Sequence, residues 1–239
     1  MNALFGFFAK IIAYPMTWLY QLTGNYAVSI ILITVIIRAV LIPLQVKSTN
    51  QQAKMAELQS QVDEIKIRYA RDQAAMNEKI SELYSKQGVS STAGCLPLLI
   101  QFPIILGLYQ LLREPLTYMA GTPGMLAAVH ESFLWVPDLS QPDAWILPIL
   151  AGLTTYLSTM LTTKGQNAAA AGAMKGMTYF SPIMIFIFGK SFAAGLTLYW
   201  FVGNLFMMIQ TWILNKKREK DRLKSQAKAE IEKRRKAEK

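Results

Sequence analysis

Residues 29–45 read SIILITVIIRAVLIPLQ, an apolar run of bilayer length with one arginine, Arg38, set inside it. A helix needs about 20 such residues to cross a hydrocarbon core of ~30 Å. An arginine well inside it costs roughly 2.5–3.5 kcal/mol on insertion scales. Position alone leaves two readings of Arg38. It lies six residues before Leu44, roughly 9 Å at ~1.5 Å per residue, so its long side chain can snorkel to headgroups and act as an anchor. Alternatively it faces a wet cavity between helices, with Thr34, four residues earlier, on the same helix face.

The rest of the chain fits a membrane. Of its 239 residues 52% are apolar, and the net charge is +10. The basic groups cluster in Lys47–Lys86 and Lys216–Lys239, while the apolar runs between are almost free of charge. That segregation belongs to an integral membrane protein; a cytosolic nucleic-acid binder would lack several uncharged runs of spanning length. One cysteine, Cys95, and one histidine, His130, rule out an internal disulfide and make a Cys/His zinc site a poor fit. No metal and no cofactor is expected.

Apolar length gives five spans, at 25–46, 93–113, 144–163, 176–190 and 191–214. The fourth is short: Met177–Phe188 would rise about 18 Å, a mismatch that implies local thinning of the bilayer. Residues 47–92 carry seven basic and six acidic groups up to Lys86. Their apolar positions (Met55, Leu58, Val62, Ile65, Tyr69, then Met76, Ile80, Leu83) step by three and four, which predicts two amphipathic helices folded back around Ala70–Gln73 as an antiparallel hairpin. Residues 114–143, rich in Pro and Gly, read as an ordered loop with at most a short helix. Residues 164–175 read as a small connection, and 215–239 as a basic tail.

Hairpin, connection and tail hold 21 of the 25 Lys and Arg, which places all three in the cytoplasm by the positive-inside rule and the N-terminus outside. Residues 1–24, aromatic-rich but interrupted by Lys10 and Pro15, suit a helix lying in the interface; a sixth span is the alternative.

Polar side chains also occur within the other spans. Gln101 lies in the second; Ser158 shares a face with Thr154 and Thr155 in the third; Thr197, Trp200 and Asn204 form a stripe on the last. Singly, each fits an ordinary hydrogen bond between membrane helices. Together they could line one cavity, and no Asp or Glu lies in any span to neutralise Arg38. Carboxylate proton relays are therefore missing, as are phosphate-loop and zinc-protease motifs, so an enzyme is not expected.

Several stretches in order, NYAVSIILITVIIRAVLIPLQ, the charged hairpin, GCLPLLIQFPIILGLYQLL, FLWVPDLSQPDAWILPIL and AAGLTLYWFVGNL, resemble the YidC/Oxa/Alb family of membrane protein insertases. The resemblance covers residues 25 to about 214. It implies an all-α fold of five transmembrane helices around a hydrophilic groove open to the cytoplasm and lipid but closed outside. It also implies that Arg38 is the groove's central charge, with Thr34 one turn before it and Tyr199 and Trp200 in the last-span motif. A groove position that is often glutamine falls on Ser158, and the motif before the last span reads Phe192-Ala193-Ala194-Gly195. Without the large external domain of Gram-negative members, a short bacterial form is expected in the cytoplasmic membrane. The partners implied are nascent membrane proteins, the ribosome and targeting factors through hairpin and tail, the Sec translocon, and anionic lipids. A small-solute transporter or channel is the rival function.

Overall fold

The computed structural model describes residues 2–90, 96–118, 124–163 and 168–237. Among these the chain is all helical, with one isolated bridge between Phe133 and Val136. Helix α1 (Asn2–Thr23) buries Ala9, Ile12, Ala13, Met16 and Leu19. Its opposite stripe of Phe7, Ile11, Tyr14, Trp18 and Leu22 is more than half exposed. A helix apolar on both faces needs an apolar medium on the side its own protein leaves open. Gly24 ends α1 in the left-handed region at φ +61°, and Asn25 at once caps α2 (Tyr26–Val40), its side chain accepting from Val28 N at 3.0 Å.

The run that opened the reading is not one straight helix. It breaks at Leu41, and α3 (Ile42–Glu57) leaves at 60° to α2. Pro43 in the first turn of α3 is the cause: it has no N–H to donate and its ring clashes with the preceding turn. Arg38 therefore sits in the last turn of α2, three residues before the bend, rather than six residues inside a continuous helix.

α4 (Gln59–Arg68) and α5 (Gln73–Lys86) pack against each other, and Asp72 starts α5 by accepting from Ala75 N at 3.0 Å. Glu82 lies between Lys86 and Lys79, at 2.7 and 2.9 Å, and their hydrogen bonds draw its carboxyl down to about 2. α6 (Leu96–Arg113) leads into 114–143, whose described residues include two one-turn helices, α7 (Pro115–Tyr118) and α8 (Met125–Ala128).

α9 (Ile146–Thr163) packs on both α10 (Ala168–Ser191) and α11 (Ala194–Ala237), and α11 packs in turn on α2; α1 covers α2 and α6. Small residues set these approaches. A Cβ added to Gly152 would stand 3.3 Å from the Pro182 carbonyl, and one on Gly107 3.0 Å from the Phe8 backbone.

Two elements run longer than apolar composition suggests. α10 starts at Ala168 and spans 24 residues, so most of the expected connection is helical. The polar residues Lys164, Gln166, Asn167 and Lys175 break the apolar run there, but alanine is the best helix former. α11 continues for 44 residues through the basic tail without a break. By length and apolarity, Ala194–Lys220 is the one described helix able to cross a membrane, the bent α2–α3 pair being a second if counted as one span. Leu99–Arg113 and Ile146–Thr162 are apolar but shorter.

At one end of the bundle the 114–143 loop ties the helices together. Glu131 accepts from Tyr26 N and from the Tyr20 hydroxyl, each at 2.7 Å, while the carbonyls of Gln141 and Leu139 accept from Ala194 N and Gly195 N at 2.8 and 2.9 Å. The open N–H groups of both α2 and α11 thus find acceptors on one loop. Tyr26, Ile30, Leu139 and Leu196 fill the core beneath.

Candidate functional site

Three turns along α2 from that closed end, Arg38 is 5% exposed and turned toward α11. A Cβ built on Gly203 would lie 2.6 Å from Arg38 Nη2 and 3.1 Å from Nε, so the guanidinium occupies the space that the missing side chain leaves. Its central carbon stands 5.9 Å from the centre of the Tyr199 ring. Gln101 reaches from α6 and donates to the Tyr199 hydroxyl at 2.7 Å, holding the ring in place.

The charge is poorly compensated. Among the described residues no carboxylate lies within 4 Å of Arg38, and its Nε is buried with no acceptor. A cation over an aromatic face gains about 0.5–2 kcal/mol, whereas the desolvation of one buried ion costs several. Water or an anionic group arriving at Arg38 is therefore favoured by the site as built. Three buried acceptors also lack partners among the described residues: Gln45 Oε1, Gln51 Oε1 and Gln210 Oε1, which lie further along α3 and α11, away from the capped end. Gln210 is seven residues beyond Gly203, on the same helix face.

The other expected residues divide into groups. Thr34 is fully buried one turn before Arg38 and donates its hydroxyl to the Ile30 carbonyl at 2.6 Å, so its polarity is satisfied within its own helix. Asn204 turns to α9, donating to Thr155 Oγ1 at 2.7 Å, and Thr155 donates to the Ala151 carbonyl at 2.7 Å. Ser158 is 4% exposed one turn along that α9 face. Thr197 is buried near the Gly189 carbonyl, 3.4 Å away. Trp200 points away from Arg38 into an aromatic cluster, stacked on Phe188 and edge-on to Phe192, with both centroids 6.3 Å away.

Two residues escaped the sequence reading. Gly203 carries a signal only in hindsight: a glycine inside an apolar helix, next to a polar residue. Glu131 has none, because its partner Tyr26 N lies 105 residues away.

The profile of the family described as 60Kd inner membrane protein matches residues 18–222. The chain is 35% identical to membrane protein insertase YidC 2 of Listeria innocua, over 91% of this chain and 77% of that one. It is 37% identical to membrane protein insertase MisCA of Bacillus subtilis, over 87% and 79% respectively. YidC of Clostridium perfringens aligns at 35% identity over 85% of this chain and 86% of its own. A crystal structure of an active YidC insertase with its first transmembrane domain resolved superposes with a TM-score of 0.61 at 29% identity, covering 88% of this chain and 46% of that one. An all-helical fold like that of a solved YidC insertase and a profile match over most of the sequence agree: the chain belongs to the 60Kd inner membrane protein family, together with the YidC membrane protein insertases.

Proposed function

We propose that the chain is a membrane protein insertase of the cytoplasmic membrane, working without a nucleotide, in which Arg38 draws the acidic groups of a substrate's translocated segment into a polar groove. The carrying observation is Arg38 itself: a buried guanidinium set over Gly203 and Tyr199, with its Nε unpartnered and no carboxylate in reach among the described residues. Gln101, Tyr199 and Asn204 hold or flank that position, Thr34 and Ser158 add polar character to neighbouring turns, and Trp200 supports α11 from the α10 side. A charged segment moved unaided into hydrocarbon pays its desolvation at once; a groove wet from one side divides that cost into smaller steps.

In this reading five spans formed by α2 with the start of α3, α6, α9, α10 and α11 surround the groove, and α1 lies in the outer interface. The loop end faces outward, and the α4–α5 hairpin and the basic end of α11 face the cytoplasm, as the distribution of Lys and Arg requires. Aromatic belts support the placement: Trp135 and Trp145 are exposed at the loop end, and Trp212 is exposed on α11. From Ala194 to Trp212 the helix rises about 27 Å, close to a hydrocarbon core of ~30 Å. The capped loop end closes the groove outside, while the unpartnered glutamines lead toward the cytoplasm. The ribosome and targeting factors would dock on the hairpin and tail, anionic lipids would hold the tail, and the Sec translocon would share some substrates.

The test is photo-crosslinking from position 38 to a stalled nascent chain, with depletion and rescue scored on a substrate with an acidic translocated tail. Crosslinks to the polar segment and a loss of insertion with Arg38→Ala are expected. Undiminished insertion would remove the arginine from the mechanism, and selective solute flux in reconstituted vesicles would favour a transporter instead.

A further inference from the structure

A second polar site lies away from Arg38, where α3 passes the cytoplasmic stretch of α11. A cleft of about 750 Å³ opens between them, with Lys47, Lys54 and Arg218 on its walls and Glu57 as its one acidic residue. Lys47 and Lys54 are seven residues apart, two turns on one face of α3. Arg218 comes from the other helix and donates through one guanidinium nitrogen to Asn50 Oδ1, which holds its fork across the opening. Gln51, also on the wall, keeps a buried carbonyl oxygen with no donor among the described residues.

The chemistry changes along the cleft. Pro43 and Val46 make one end apolar, and beside them Ile42 and Leu44 are exposed. On α11 the exposed apolar surface of Ile209, Trp212 and Ile213 ends where Lys216 Nζ stands 4.8 Å over the Trp212 ring. Arg218 lies six residues past Trp212, about 9 Å deeper into the polar zone. The cleft therefore starts at the hydrocarbon boundary and becomes cationic at headgroup depth. A free phosphate ester or an RNA strand would have no use for the apolar end.

We infer that this cleft binds the headgroup of one anionic phospholipid, a phosphodiester bearing free hydroxyls such as phosphatidylglycerol. Three cations against one carboxylate favour a net negative head, the phosphate accepts from Lys47, Lys54 and Arg218, and a headgroup hydroxyl donates to Glu57. The acyl chains lie along Pro43 and Val46. Clamping a lipid between α3 and α11 would fix the 60° bend after α2, three residues from Arg38, so that lipid composition bears on the geometry of the groove. The inference rests on the membrane placement proposed above.

Native mass spectrometry of the full chain, released from detergent with defined lipids, reads the site directly. Wild type is expected to retain phosphatidylglycerol over phosphatidylcholine and phosphatidylethanolamine. The triple variant Lys47→Gln, Lys54→Gln, Arg218→Gln should lose retention by at least about tenfold, and the single Lys54→Gln by about threefold, the latter serving if the triple variant unfolds. A triple variant of equal charge change on the exposed α4–α5 hairpin, Lys66→Gln, Arg68→Gln, Arg71→Gln, should leave retention unchanged. Equal loss from both triples, equal retention of phosphatidylethanolamine, displacement by millimolar glycerol 3-phosphate, or a loss of ribosome co-sedimentation without a loss of lipid would each overturn the assignment. Insertion dependent on Arg38, measured separately, is untouched by such a failure, so the two readings stand or fall apart.

Discussion

α2 and α11 meet twice, and the two meetings are opposites. At the loop end, their N-terminal N–H groups find acceptors in Glu131, Leu139 and Gln141, above a core of Tyr26, Ile30 and Leu196. Three turns further along α2, the same pair of helices holds a guanidinium over a glycine with its Nε unsatisfied. The first junction pairs its backbone donors, each of which would cost about 1–3 kcal/mol if left buried and unpaired, although the buried Tyr26 hydroxyl has no partner among the described residues. The second leaves a buried donor unsatisfied, which costs stability and is what the groove proposed above would require. One pair of helices can be shut at one end and receptive at the other because the loop spends its polar groups on one end only.

That contrast can be broken first at Glu131. Its carboxylate serves two donors on different helices, so Glu131→Ala should lower unfolding stability by about 2–3 kcal/mol in a denaturant titration, with a rise in loop-end hydrogen exchange. A loss below ~0.5 kcal/mol would mean that the junction is held by apolar packing alone.

Next, Arg38→Ala should reduce insertion of a substrate with an acidic translocated tail by about tenfold, equivalent to ~1.4 kcal/mol, while leaving unfolding stability unchanged or raised, because an uncompensated charge has been removed. If stability falls as far as for Glu131→Ala, Arg38 is structural and the opposition between the two junctions fails.

Gly203→Ala sharpens the geometry. The new methyl must push the guanidinium aside, since the clash is with the far end of a flexible side chain and not with backbone. Insertion should drop by about threefold with stability held within ~0.5 kcal/mol, and Gly203→Val should do more. Identical crosslinking from position 38 in Gly203→Ala and wild type would show that the contact is not maintained.

The smallest effect concerns pH at the loop end. Burial pushes the Asp138 carboxyl up, but bonds from His130 at 3.0 Å and from the Ser140 hydroxyl and N–H at 2.7 and 2.8 Å outweigh it and hold the group below the usual carboxylate range. A depressed folded value contributes stability above the unfolded pKa, about 4, that is lost as pH falls through the folded value. Thermal unfolding of wild type should therefore decline below about pH 4 more steeply than that of Asp138→Asn; parallel curves would discharge the Asp138 cluster from any part in the junction.

By itself the sequence determined the helical class, the charge segregation and the place of Arg38 as a single charge in an apolar run, because each is a local property of periodicity or composition. The bend at Leu41 was equally local in cause, since Pro43 was visible, yet hydropathy averages across it. The helical start of α10 was hidden for a similar reason, its alanines carrying no helical periodicity and lying between Lys164 and Lys175, which end the apolar run. Which polar residue meets which was not local at all. Gln101 finds Tyr199 across 98 residues, Asn204 finds Thr155 across 49, and Glu131 finds Tyr26 across 105. Gly203 matters through an absence, the space a Cβ would fill, and only the approach of α2 to α11 gives that absence an occupant. Trp200 belonged to the same helical stripe as Asn204, but helix packing turned it toward Phe188 and Phe192. A single chain's sequence fixes what each side chain can do; the crossing of two helices decides what it is near, and the energy of a buried charge depends on its neighbours.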